Sequence, residues 1–66
     1  MAVLKVIELL AESEKSWEDA AQGAVKEAGK SLKNIRSVYI AEQSCVIKNN
    51  KIAKYRVNAK ITFAVE

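Results

Sequence analysis

Lys51–Val65 reads KIAKYRVNAKITFAV, and its alternation decides the fold. Ala53, Tyr55, Val57, Ala59, Ile61, Phe63 and Val65 fall on one side; Lys54, Arg56, Asn58, Lys60 and Thr62 fall on the other. Successive side chains leave a pleated backbone on opposite faces, so a period of two sustained this far predicts a half-buried strand. An ordinary strand has about five or six residues, so one of roughly fourteen in a chain of 66 runs the height of the molecule and carries the core along one face. Its other face is polar and basic, and what that face meets is the functional question.

Working outward, Asn49-Asn50 precedes this strand, and Asn tolerates the positive φ angles of a tight hairpin. Ile35–Lys48 is then a second long strand folded back on the first. A two-residue loop makes partner numbers sum to 99. Val38 then faces Ile61, Ile40 faces Ala59 and Val46 faces Ala53 on the core side. The opposite face pairs Ser37 with Thr62, Tyr39 with Lys60, Ala41 with Asn58, Gln43 with Arg56 and Cys45 with Lys54, and it also receives Ile47 and Ile52. This register puts Glu42 and Ser44 on the core side, where they fit only if the strand bends or bulges, or if Glu42 finds a partner in another subunit.

Before the hairpin, Trp17, Ala20, Ala21, Ala24, Val25 and Ala28 recur at i, i+3, i+4, i+7, i+8 and i+11, one narrow stripe of an amphipathic helix. Ser13 and Ser16 are candidate caps, the latter with Asp19 three residues on. Glu14, Glu18 and Asp19 sit toward the positive end of the helix dipole, and Lys26, Lys30 and Lys33 toward the negative end. An alanine-rich stripe lets the helix lie close to a sheet, with Trp17 plugging one end. Ala2–Leu10, with Val3, Val6 and Ile7, reads as a short first strand. The order is strand, helix, strand, strand. A right-handed crossover leaves the third strand in the middle and every neighbouring pair antiparallel. The fold class is α+β, one domain over residues 1–66, with a three-stranded antiparallel sheet wrapping one helix. The bare far face is too apolar for water and too polar for a core, as expected of an interface or a ligand-lined cavity.

Composition narrows the function. So short a chain buries only about 60 % of its unfolded surface, and Cys45 as the sole cysteine, with no histidine, excludes an internal disulfide framework and the usual zinc spacings. Oligomerisation is the remaining stabiliser. No segment is apolar enough to span a bilayer, and Met1–Leu10 has neither the length nor the cleavage site of a signal peptide, so a cytoplasmic location is expected. The last third sets Lys48, Lys51, Lys54, Arg56 and Lys60 against Glu66 alone. Without interleaved aromatics this reads as a solubilising strand face and not a nucleic-acid footprint. Acid-base catalysis lacks a histidine, phosphate chemistry lacks a glycine-rich loop, and Cys45 has no activating neighbour except Lys54 across the hairpin, so no enzymatic activity is expected.

The chain resembles a dodecin over nearly its whole length, in VLKVIELLAESEKSWEDAAQGAVKEA, IRSVYIAEQ and YRVNAKITF. The resemblance implies a subunit of this topology assembled as a hollow homododecamer that binds and stores flavins such as riboflavin or FMN without turnover. Flavin-binding dodecins place a stacking tryptophan where this chain has Ser37, and a glutamine after the third-strand tyrosine where this chain has Arg56. Ser37 offers no π surface, which removes a stack worth about 1–3 kcal/mol per ring. The ligand residues expected on this basis are Ser37, Tyr39, Gln43, Arg56 and Lys60, with Tyr39 a substitute stacker or an interface residue and Arg56 able to lie on a ring or pair with an anion. The likeness is nearer to dodecins lacking the tryptophan, including calcium dodecins. There an acid at the helix start and one late in the second strand hold a cation. Lys15 replaces the first and Glu42 matches the second, so a calcium site would rest on Glu42 with a neighbour such as Glu14, completed by other subunits or water; the alternative pairs Glu42 with a basic residue at a subunit contact. Three functions remain: a non-enzymatic small-ligand store without a tight flavin stack, a flavin store with altered contacts, and a calcium-binding or purely structural shell.

Overall fold

The computed structural model describes residues 2–65. Met1 and Glu66, the ends of the expected domain and the acid set against the basic last third, lie outside the described residues. The elements are β1 (Leu4–Ser13), α1 (Trp17–Ala28), β2 (Ile35–Lys48) and β3 (Lys51–Ala64). The sheet order is β1-β3-β2, antiparallel throughout, with the best-patterned strand in the middle. β1 runs three residues past the expected Leu10, and that extension matters for the site.

Local chemistry sets each boundary. Ser16 is extended, and its hydroxyl accepts the Asp19 backbone N–H at 3.0 Å, one of the donors a helix start leaves without a partner. Ser13, the other candidate cap, supports this one: it donates to the Asp19 carboxylate at 2.6 Å and accepts the Lys15 N–H at 2.9 Å. At the hairpin, Asn49 and Asn50 have φ of 54° and 61°, and Lys48 pairs with Lys51 around them. Two consecutive left-handed residues match the twist of the strands they join.

The core is thin. Ala20, Ala24 and Ala28 of α1 are buried against Val57, Ala59 and Ile61 of β3, with Ile7, Leu9, Ala11, Trp17, Val25, Leu32, Ile35 and Ile40 packed around them. Alanine on both surfaces brings helix and sheet into close contact, and dispersion across that contact depends on leaving no gap. The molecule nevertheless exposes 5048 Å², where a compact monomer of its mass exposes about 4,200 Å². Its radius of gyration of 13.4 Å exceeds the about 11 Å of a compact domain of this length. Both excesses describe a chain with more open surface than a compact monomer of its size.

The register departs from a constant sum in a way that reassigns faces. From Ser37↔Thr62 to Ile40↔Ala59 the pairing is the expected one. Ala41 is then an extra residue on β2, so the next pairs are Glu42↔Asn58, Gln43↔Val57, Ser44↔Arg56, Cys45↔Tyr55 and Val46↔Lys54. The expected pairings of Ala41 with Asn58, Gln43 with Arg56, Cys45 with Lys54 and Val46 with Ala53 are thereby corrected. Two further irregularities flank this one: Arg36 is passed over between Ile35↔Phe63 and Ser37↔Thr62, and Ala53 of β3 is passed over where the sum returns at Ile47↔Ile52. The physical reason is the one a bulge serves elsewhere: one added residue turns the following side chains over. Glu42 and Ser44 leave the core side, and Gln43 and Cys45 take their place.

Candidate functional site

Combining the two registers gives side-chain rows across the sheet face opposite α1. In the order β1, β3, β2 they are Val6–Thr62–Ser37, Glu8–Lys60–Tyr39, Leu10–Asn58–Glu42 and Glu12–Arg56–Ser44. Ser37, Tyr39, Arg56 and Lys60, read from the sequence as ligand residues, do share this face. Gln43 does not, because it lies opposite Val57 on the helix side.

The far face alternates apolar and charged groups in the open. Val6 is 54 % exposed, Leu10 67 % and Tyr39 66 %. Tyr39 is the one aromatic ring presented here among the described residues. Trp17 and Tyr55 are occupied with each other on the helix side, in an edge-to-face contact with centroids 5.0 Å apart and planes at 74°. The Trp17 indole N–H donates to the Ser44 carbonyl at 3.1 Å, fixing the helix start to β2. Trp17 therefore serves the core. Phe63 pairs with Ile35, which also packs on the core.

Arg56 is not a free cation. Its Nη2 and Nε both reach Glu12 Oε2, at 2.6 and 2.8 Å, and Lys54 Nζ lies 3.7 Å from Glu12 Oε1. The hydrogen bond from Arg56, helped by the positive charges of Arg56 and Lys54, holds the Glu12 carboxyl below its ordinary value against the opposing effect of desolvation, which is second in size to that hydrogen bond. Glu12 escaped the sequence reading because the first strand was ended at Leu10. The signal was present: the alternation Ile7, Leu9, Ala11, Ser13 against Val6, Glu8, Leu10, Glu12 continues unbroken.

The expected cation ligands are separated by element: Glu14 lies in the bend after β1, and Glu42 in the middle of β2 opposite Asn58. Among the described residues, no three His, Cys, Asp or Glu side chains cluster as a metal site. Cys45 faces Tyr55 and not Lys54, so the neighbour proposed for it is absent. The open grooves among the described residues include two. One of about 330 Å³ lies by Lys5, Leu32 and Phe63, and one of about 340 Å³ lies between α1 and β1. Neither is lined by the expected ligand residues. No helix among the described residues is long and apolar enough to cross a membrane.

A three-stranded antiparallel sheet laid on one helix, with a mixed polar and apolar face left open, defines a β-α-β-β contact subunit. Comparison with known proteins gives it a family: the dodecin family model matches residues 3–66, and the chain belongs to the dodecins. It is 35 % identical over 63 residues to the calcium dodecin of Mycobacterium tuberculosis, covering 96 % of this chain and 89 % of the relative. A crystal structure of that protein, described as a calcium-chelating immunodominant antigen with a novel calcium-binding site, matches at 33 % identity with a TM-score of 0.85, over 97 % of this chain and 91 % of the other. A point mutant of Thermus thermophilus dodecin matches at 29 % identity with a TM-score of 0.94, over 100 % of this chain and 98 % of the other. Dodecins form homo-oligomers and are known as non-enzymatic binding proteins.

Proposed function

We propose that this dodecin is a non-enzymatic, cytoplasmic homododecamer that holds a small planar ligand on the open sheet face without the tight aromatic stack of a flavin store. Each subunit contributes one domain spanning residues 1–66. The observation that carries this reading is the solitary, exposed ring of Tyr39 with Lys60 directly across the strand. One ring per subunit supports a single stack, and Lys60 adds a positive charge for an anionic group. Ser37 and Thr62 supply hydroxyls one row away, whereas Arg56 contributes only if it leaves Glu12 or brings it along.

Titration of the purified oligomer with riboflavin and with FMN, followed by flavin fluorescence, tests this. Quenching that requires concentrations well above micromolar, is stronger for FMN, and is lost in Tyr39→Ala supports the reading. Stoichiometric quenching at nanomolar concentration refutes it, and so does the absence of quenching at millimolar flavin.

A second reading has one observation behind it. Glu42 and Asn58 are paired on the same face, and both offer oxygen, the ligand that calcium prefers. Two oxygens do not make a calcium site, so neighbouring subunits and water would supply the remainder. Calcium that binds only the folded assembly raises its melting temperature by mass action. No shift at millimolar calcium, or an equal shift in Glu42→Gln, sinks this reading.

A further inference from the structure

Two rows of the open face share one arrangement and use it differently. In each, an acid of β1 is the direct partner of a cation of β3: Glu8 of Lys60, and Glu12 of Arg56. Among the described residues no ion pair joins Glu8 to Lys60, whereas Glu12 holds both Arg56 and Lys54. Lys60, exposed beside Tyr39, is thereby available to a ligand, and Arg56 is engaged.

The engagement takes a particular edge of the guanidinium. Arg56 Nε and Nη2 both donate to Glu12 Oε2, and these parallel donors are the pair with which arginine grips a phosphate or carboxylate through two hydrogen bonds. Both side chains stay accessible, Arg56 at 42 % and Glu12 at 36 % exposure, so the pair lies where a ligand meets it. An exposed pair is screened and weak, so it competes with an incoming anion without excluding it. Arg56 stands two rows from Lys60, four residues along β3, a separation of about 13 Å. That distance is beyond a ring resting on Tyr39 and within reach of a flexible tail several bonds long attached to it.

We propose that Glu12 is a specificity-determining residue of this face, setting how strongly a planar ligand with an anionic tail is preferred over its uncharged counterpart. With Glu12 in place, the side-on edge of Arg56 is filled and the tail meets a carboxylate beside the cation. Without it, the same tail closes on Arg56 through two charge-assisted hydrogen bonds. This inference rests on the ligand reading of the proposed function and adds the residue that regulates it.

Riboflavin and FMN differ only in a phosphate, so the ratio of their half-quenching concentrations separates the tail from the ring. Measured on the purified oligomer, Glu12→Gln is expected to shift that ratio toward FMN by at least fivefold, and Arg56→Ala added to it is expected to take the gain away. Glu27→Gln makes the same change of net charge on the exposed side of α1 and is expected to keep the wild-type ratio. A loosened strand weakens both flavins together and leaves the ratio alone, so damage to the fold does not imitate the gain. If wild type quenches both flavins and Glu12→Gln keeps its ratio, the role of Glu12 is overturned and the ligand reading stands. A gain that survives Arg56→Ala, or that appears equally in Glu27→Gln, overturns it in the same way. FMN quenching that appears only in Glu12→Gln supports the role and overturns the ligand reading for the native chain. Absence of quenching by millimolar flavin in both wild type and Glu12→Gln overturns the two together.

Discussion

The Arg56 guanidinium grips a single oxygen of Glu12 through two nitrogens, across neighbouring strands whose register makes the two residues direct partners. The pair ties β1 to β3 at the row next to Tyr55. It also neutralises the cation that otherwise offers itself to an anionic ligand.

Acid should weaken this tie. The folded-state pKa of Glu12 is depressed, so the stability it contributes is fully present above the ordinary glutamate value of about 4.3 and is lost as pH falls through the lower folded value. Glu12→Gln is expected to flatten the melting temperature profile in that acidic range and leave it unchanged in shape near neutrality. An identical acid limb in the variant would assign the loss to other carboxylates.

The resemblance to flavin-binding dodecins implies a stacking ring at the place of Ser37 and a glutamine at that of Arg56. Ser37→Trp with Arg56→Gln should lower the flavin concentration needed for half-quenching by at least tenfold, the effect of a stack worth about 1–3 kcal/mol per ring. Ser37→Trp alone is expected to gain less, since Arg56 and Glu12 still occupy the face. No gain in the double variant would show that the face geometry, and not only its chemistry, has left the flavin-binding form.

Ala24 is 4 % exposed between α1 and β3. Leucine forms helices nearly as well as alanine, so Ala24→Leu tests packing and not propensity. Overpacking should cost about 1–3 kcal/mol, read as an earlier denaturant midpoint. An unchanged midpoint would mean that the helix lifts off the sheet at little cost.

At the turn, Asn50 has a φ of 61°. Asn50→Gly removes a mild steric penalty and is expected to hold or raise the melting temperature, whereas Asn50→Val should lower it by an amount corresponding to about 1–2 kcal/mol. Equal melting temperatures for the two variants would contradict a turn that requires left-handed residues.

The parts of this fold that repeat were legible in the sequence. Period two gave β3 and β2, the alanine stripe gave α1, and the paired asparagines gave the turn. What escaped were the events that break a period, above all the one at Ala41. Ala41 has no residue signature as a bulge, and its only trace was a misfit, Glu42 and Ser44 in nominal core positions. β1 was cut short for a related reason: Ser13 was credited as a cap, and the strand alternation that carries Glu12 opposite Arg56 was not followed to its end. The residues expected on the open face therefore stand there on β3 and in the first half of β2, whereas Gln43, beyond the bulge, stands on the helix side.

Ala41 accordingly acts as a change of parity in the chain. From Ser37 to Ile40, even-numbered residues of β2 face the helix; from Glu42 to Val46, odd-numbered ones do. Were β2 to run past Ala41 in regular alternation, without the bulge, Gln43 and Cys45 would face the open side and Glu42 and Ser44 the helix, without altering any amino acid. A single unpaired residue thus decides which half of the later side chains of β2 stands on the open surface, and deleting it would spare that choice, because Glu42 would still follow Ile40 onto Asn58.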